Sequence, residues 1–432
     1  MILKVLVKSI IRVAIVLFVT YFVLFITGCA KDENIVNPSQ SAITVTGKVT
    51  DFQGNGLGNI KVESKAGTIR TSSDGSFIFS NIFTPYDISV YTYGMNVVTF
   101  KNITTSKPQI PVNYYIPVVA FETNVKVIIP QMNNNQTALA KFYDTLGYYN
   151  NYVNISNSTY GQMNIEWHGS QSLSGMMVLW VYTTDNSGNI LSYDKYGEKS
   201  ISVSNGLPGR IVFNENDLNT NPADTSISGY VLLPSGFQIT NKYIGMNRYP
   251  FANLFEFGEL NNVVNISGTN YTVFIPALNG GIYRYYILIG IQNQTSYNSG
   301  MKLAEINLNN VNIVGFNTFP SLLSPEDNAQ NVNYDTKFTF SKDTPLGIYE
   351  IRIDYVTSNS YTANRYIYTG TESNNINLLS DTSFNFMRNS PCFWNVTKYT
   401  GFNDIDDFIS LPPAKNQKYR EYLSSTTRTF KF

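Results

Sequence analysis

From Ile43 onward, apolar residues either alternate with polar ones or fall in short runs bounded by Gly, Asn, Asp and Pro. That pattern predicts strands and turns. Thr44-Val45-Thr46-Gly47-Lys48-Val49 and Ile60-Lys61-Val62-Glu63 alternate, with a turn cluster at Asp51-Phe52-Gln53-Gly54-Asn55-Gly56 between them. Asp74-Gly75 ahead of Ser76-Phe77-Ile78-Phe79 is a hairpin signal, and Tyr86–Tyr91 follows as the next strand. Met176 to Tyr182 and Ile282 to Ile291 predict long apolar strands; Thr336 to Phe340, Ile348 to Ile353, Phe393 to Val396 and Thr427 to Phe432 complete the series. One stretch, Thr137 to Tyr149, has apolar spacing near three to four and is the single helix candidate of this region. The prediction is an all-β chain of tandem β-sandwich domains.

The domains predicted are 43–117, 120–220, 223–318 and 319–432, behind a polar tether at 29–42. Val153-Asn154-Ile155-Ser156 recurs as Val264-Asn265-Ile266-Ser267, with Tyr160 and Tyr271 each four residues after the Ser. The middle two domains are therefore candidates for a duplication, with Leu218 to Ser226 as the linker. Residues 1–28 differ from everything after them. Lys4, Lys8 and Arg12 give a positive start, Val13 to Ile26 is apolar apart from Thr20 and Tyr21, and small residues Thr27 and Gly28 follow. That order is the signature of a secretory signal peptide. Its uncharged core of about 14 residues falls short of the roughly 20 that a spanning helix needs.

Charged residues make up only 14% of the chain and the formal net charge is zero. No Lys/Arg cluster follows the signal, so the footprint for nucleic acid is missing. Apolar content of 43% supplies cores for several domains. The two cysteines are Cys29 and Cys392. Cys392, in Pro391-Cys392-Phe393-Trp394, reads as a buried strand residue.

Three resemblances follow from these residues. Ile26-Thr27-Gly28-Cys29 resembles the lipobox of bacterial lipoproteins, which implies cleavage before Cys29 and lipid on its thiol. Lys31-Asp32-Glu33 just beyond it resembles the surface-export signal of lipoproteins in the Bacteroidetes. Gly47-x-Val49-x-Asp51-x-x-Gly54, Leu57-x-x-Ile60-x-Val62 and Thr71-x-x-Asp74-Gly75-x-Phe77-x-Phe79 resemble the carboxypeptidase regulatory-like domain, with Gly56 where that family usually has Pro. The resemblance covers about 44–117 and implies a transthyretin-like sandwich of the carbohydrate-binding-like class, without catalytic residues of its own. Ser324-Pro325-x-Asp327-x-Ala329, the strand around Phe340 and the terminal Thr427-Arg428-x-Phe430 resemble fibronectin type III domains over 319–432.

Candidate chemistry is sparse. His168 is the single histidine, so a zinc site of the His-rich kind has no ligand set. Glu166 and His168 share one strand face without a pocket signal. Asp185-Asn186-Ser187-Gly188-Asn189 lacks the terminal Glu of a calcium loop and reads as a hairpin turn. Neither a metal nor a cofactor is expected. Among 31 tyrosines, Tyr148-Tyr149-Tyr152 and Tyr283-Tyr285-Tyr286 could present rings to a sugar, whereas Trp180 reads as core. The expectation is a non-enzymatic lipoprotein of the outer membrane facing the cell exterior, held by lipid on Cys29. It would act as an adhesion, scaffold or binding module toward a glycan or a surface protein. A carbohydrate-binding accessory protein of a polysaccharide-uptake system is the rival, and a glycan-active enzyme with two acids far apart in sequence is the third reading.

Overall fold

The computed structural model describes residues 42–431 except 52–53, 93–95, 113–120, 145–149, 168–169, 187–189, 221–223, 249–263, 268, 277–282, 308–309, 334–335, 343–346, 358–361, 371–374, 377–388 and 411–420. The described residues are all-β, arranged in several sheets. Among them no helix is long and apolar enough to cross a membrane.

Three successive segments fold by the same seven-strand plan. The first has β1 (Ile43–Thr50), β2 (Lys61–Ser64), β3 (Gly67–Arg70), β4 (Ser76–Ile82), β5 (Tyr86–Tyr91), β6 (Val97–Ile103) and β7 (Gln109–Pro111). The second has β8 (Phe121–Ile128), β9 (Gln136–Asp144), β10 (Asn150–Ser156), β11 (Tyr160–Trp167), β12 (Ser172–Thr184), β13 (Ile190–Ser204) and β14 (Gly209–Val212), followed by the short β15 (Asn219–Thr220). The third has β16 (Asp224–Leu232), β17 (Phe237–Arg248), β18 (Val264–Ser267), β19 (Asn270–Pro276), β20 (Tyr283–Asn293), β21 (Ser299–Glu305) and β22 (Asn312–Gly315).

In each module the first strand lies between the fourth, antiparallel, and the seventh, parallel. In each, the fifth strand lies between the second and the sixth, both antiparallel. The third strand hydrogen-bonds to the second in modules one and two, and to the fourth in module three. The shared order reaches beyond the four-residue repeat of the middle segments and takes in the first module as well.

The last segment supplies β23 (Leu322–Ser324), β24 (Phe338–Phe340), β25 (Gly347–Val356), β26 (Thr362–Thr369), β27 (Asn375–Ile376), β28 (Pro391–Thr400), the single-turn helix α1 (Ile405–Phe408), β29 (Glu421–Ser424) and β30 (Arg428–Lys431). Its larger sheet joins its neighbours edge to edge. β26 runs parallel to β6 of module one, and β29 runs antiparallel to β21 of module three. The result is a twelve-stranded sheet in the order β17-β20-β21-β29-β28-β25-β26-β6-β5-β2-β3, with β30 on β28. Smaller sheets pack on it: β4-β1-β7 over β6, β5 and β2, and β23-β24-β27 over β25, β26 and β28.

Module two keeps its own five-stranded sheet, buried on both faces. Ala138, Ala140, Phe142 and Leu179 pack on Val125, Val127, Ile165 and Trp167, whereas Leu139, Val178 and Trp180 join Ile227, Tyr271 and Ile287 of module three. Two-faced burial explains why the stretch from Thr137 did not alternate. Its described part is β9, a strand, because a strand covered on both sides reads as a continuous apolar run. The predicted linker is also ordered where described: Asn219–Thr220 pairs with β13, and Asp224 opens β16. Residues 221–223 lie outside the described residues.

Candidate functional site

Core packing in module two dictates what its three-stranded sheet shows to solvent. Val125, Val127, Met163, Ile165, Trp167 and Ile211 point inward. Side chains alternate along a strand, so Glu122, Asn124 and Lys126 of β8, Gln162, Asn164 and Glu166 of β11, and Arg210 of β14 point outward, all exposed. Cross-strand register arranges them in rows. Glu122 stands opposite Glu166, Asn124 opposite Asn164, and Lys126 opposite both Gln162 and Arg210. Tyr160, 49% exposed, lies beyond the basic row, with the Lys126 ammonium 4.3 Å from its ring centroid.

This face is a strip with an acidic end, an amide middle and a basic end. The Asn164 amide donates to Glu166 Oε1 at 2.9 Å, and the Asn151 amide donates to the Asn164 carbonyl. Glu122 and Lys126 are four residues apart, about 13 Å along the strand, beyond the roughly 8 Å screening length of physiological salt. Among the described residues none of the four charges has an ion-pair partner. Like charges placed directly opposite destabilise a sheet, and this face carries two such pairs. The fold does not require them. The same face holds Thr44, Thr46, Lys48, Ser76, Ile78, Ser80 and Gln109 in module one, where the single charge stands between Ser76 and Gln109, and Ser226, Ser228 and Thr272 in module three. The chemistry available here is recognition: fixed charges, amides and an open ring on a flat surface.

Cys29, the residues Ile26, Thr27 and Gly28 before it, Lys31, Asp32 and Glu33 after it, and His168 all lie outside the described residues. Glu166 stands on the exposed face. Cys392 is 1% exposed in the core with Phe338 and Trp394, and burial pushes its thiol up to about 12. Asp185 and Asn186 fall in the connection between β12 and β13, an antiparallel hairpin. The tyrosine platforms need correction. Tyr285 and Tyr286 are each 3% exposed, because β20 is covered on both faces and consumes its rings as core. Tyr152 is exposed, Tyr148 and Tyr149 lie outside the described residues, and so does the side chain of Tyr283. Trp180 is core, 4.4 Å from the Tyr196 ring. Sequence reasoning missed Glu122, Asn124, Lys126, Gln162 and Arg210. Alternation in 121–128 marks those positions as outward, but no local signal tells which strands lie beside them.

No protein-family model matches this chain, and no curated protein matches it. Among solved structures, the Bacillus anthracis TIE protein is similar at 10% identity over 64% of this chain and 50% of that one, with a TM-score of 0.15. A streptococcal ancillary pilin is similar at 10% identity over 63% of this chain and 98% of that one, with a TM-score of 0.14. The chain thus spans half the length of the first. Overlap at these TM-scores carries neither fold nor function across.

Proposed function

We propose that this chain is a lipoprotein of the outer membrane, held by lipid on Cys29, whose β-modules form a rigid scaffold that binds at the cell surface. The observation that carries the reading is the twelve-stranded sheet, which splices modules one and three through the last segment and leaves no flexible joint in the described pairing. A scaffold needs fixed spacing between its faces, and shared strands give it. The positive, apolar and small-residue zones before Cys29 support the anchor, and Lys31-Asp32-Glu33 supports the outward address. The carboxypeptidase regulatory-like resemblance of 44–117 fits an accessory module, and its strand order repeated twice supports a tandem array of such modules. Faces that offer charges and amides on an open surface support a binding role.

The test is direct. Cys29→Ala should abolish labelling of the chain by a fatty-acid analogue, and unchanged labelling would refute the anchor. Protease added to intact cells should cut the protein; complete protection would refute the outward address. A second reading, glycan binding, is favoured by the open Tyr160 ring next to the Gln162 amide, on the face whose middle row is Asn124 and Asn164. Retardation in a polysaccharide affinity gel that Tyr160→Ala removes would support it.

A further inference from the structure

We propose that the outer face of β11, β8 and β14 is a homotypic docking surface, on which a second copy of this chain packs face to face. The argument is charge complementarity of the strip with itself. Glu122 and Lys126 lie two residues to either side of Asn124 on one straight strand, about 7 Å each way. A two-fold axis lying in the face, across the strands and along the Asn124–Asn164 row, reverses strand direction. It therefore sets Glu122 of each copy over Lys126 of the other, with Glu166 and Arg210 one strand to either side. Asn124 meets its own counterpart on the axis, and amides pair with amides because each both donates and accepts. Such an isologous contact is the commonest way for identical chains to associate.

The complementarity answers a cost that a lone chain leaves unexplained. Glu122–Glu166 and Lys126–Arg210 are like-charge neighbours without ion-pair partners among the described residues. The equivalent faces of the two sister modules carry no such pairs. Docking converts both repulsive pairs into attractive contacts. The face is about 15 Å by 25 Å, well under the roughly 800 Å² per partner of a stable complex. The dimer is accordingly weak and dependent on high local concentration, the condition that confinement to one surface provides. The proposal names a partner for the scaffold reading, but its test does not use the anchor.

The experiment uses the full chain with three sets of substitutions. Asn124→Cys places a thiol on the axis. Facing sheets stand about 10 Å apart, too far for a direct disulfide, so a short thiol-reactive bis-maleimide should yield a crosslinked dimer whose amount falls as salt is added. The acidic end is then reversed with Glu122→Lys and Glu166→Lys, and the basic end with Lys126→Glu and Arg210→Glu, each in the Asn124→Cys background. Each reversed chain alone should lose the crosslink. Mixing the two should restore it, as a heterodimer seen when one carries a tag of different mass. Recovery on mixing also shows that both variants are folded. No crosslink in the parent, an unchanged crosslink in either reversed chain, or no recovery on mixing overturns the proposal. Retention of the chain on polysaccharide through Tyr160 without any crosslink overturns it in favour of the glycan reading. Fatty-acid labelling and protease shaving, which test the scaffold's address, come out independently of all these results.

Discussion

At the scale of single residues, Glu350 shows how this protein holds a charge inside a junction. Its carboxylate accepts the Tyr368 hydroxyl at 2.6 Å and the Tyr399 hydroxyl at 3.0 Å. The Tyr368 ring is sandwiched between Phe100 of module one, at 4.9 Å, and Phe408 of α1, at 5.3 Å. Burial raises the Glu350 carboxyl above its usual 4.5, against the opposing pull of the two phenols and of Arg352. The same burial pushes the Tyr368 phenol far upward. A carboxyl with a raised folded value contributes stability that is complete below its unfolded value and is lost as pH climbs through the folded one. Glu350→Gln keeps an acceptor for the phenols and removes the ionisation. The variant should therefore gain stability relative to the parent as pH rises from acidic to neutral, read as the difference between their denaturant midpoints across that range. A difference that shrinks with rising pH would contradict the assignment. Asp327 works with the opposite sign, since bonds from the Thr429 amide and hydroxyl lower its carboxyl, and its contribution fades as pH falls.

At the scale of strands, close contact between neighbours decides several identities. Gly47 on β1 lies opposite Phe77 on β4, and a Cβ there would sit 2.2 Å from the ring. Gly229 on β16 lies opposite Tyr271 on β19, where a Cβ would come within 2.4 Å of the ring carbon. Equivalent strands of two modules thus use the same device, an aromatic laid across a glycine. Gly47→Ala should cost about 1–3 kcal/mol, the usual range for overpacking, measured by chemical denaturation. A neutral result would mean that Phe77 finds another rotamer freely. Gly47, Gly75 and Phe77 were legible in the sequence because their constraints are local: a turn with Gly75 at φ 84° and an alternating aromatic strand. β9 and β20 were legible only as apolar segments. Whether Lys141 or Tyr286 faces solvent depends on a second layer packed on the far side of the sheet, which no local pattern encodes. The charged strip was illegible for the same reason, since Glu122 meets Glu166 through a pairing between strands that are not neighbours in sequence.

At the scale of the whole molecule, the last segment finishes other modules as well as its own. Ile348, Phe402, Ile405 and Ile409 enter the core formed by Val45, Phe79, Ile88 and Phe100 of module one. Polar contacts fix the same junction: the Thr104 amide donates to Asp406 Oδ1 at 3.0 Å, and the Gln109 amide donates to the Ile409 carbonyl at 2.8 Å. At the other flank Glu421, fully buried, lies 3.7 Å from the Lys302 ammonium and accepts the Asn317 amide at 3.0 Å. Removing its carboxylate with Glu421→Ala should cost about 2 kcal/mol or more, because Asn317 is left unpaired and Lys302 loses its counter-charge. Ile405→Ala tests the opposite flank and the splice itself. Truncating a buried Ile costs about 2–5 kcal/mol, and in an autonomous domain that loss would stay near α1. Here the side chain belongs to module one's core, and β6 continues directly into β26. Hydrogen exchange should accordingly speed up at the amides of Val97–Ile103 and Ile43–Thr50, more than three hundred residues away in sequence, while those of Phe121–Ile128 stay protected. Faster exchange confined to 402–410 would show that module one stands alone, and that the shared sheet is only a contact between finished domains.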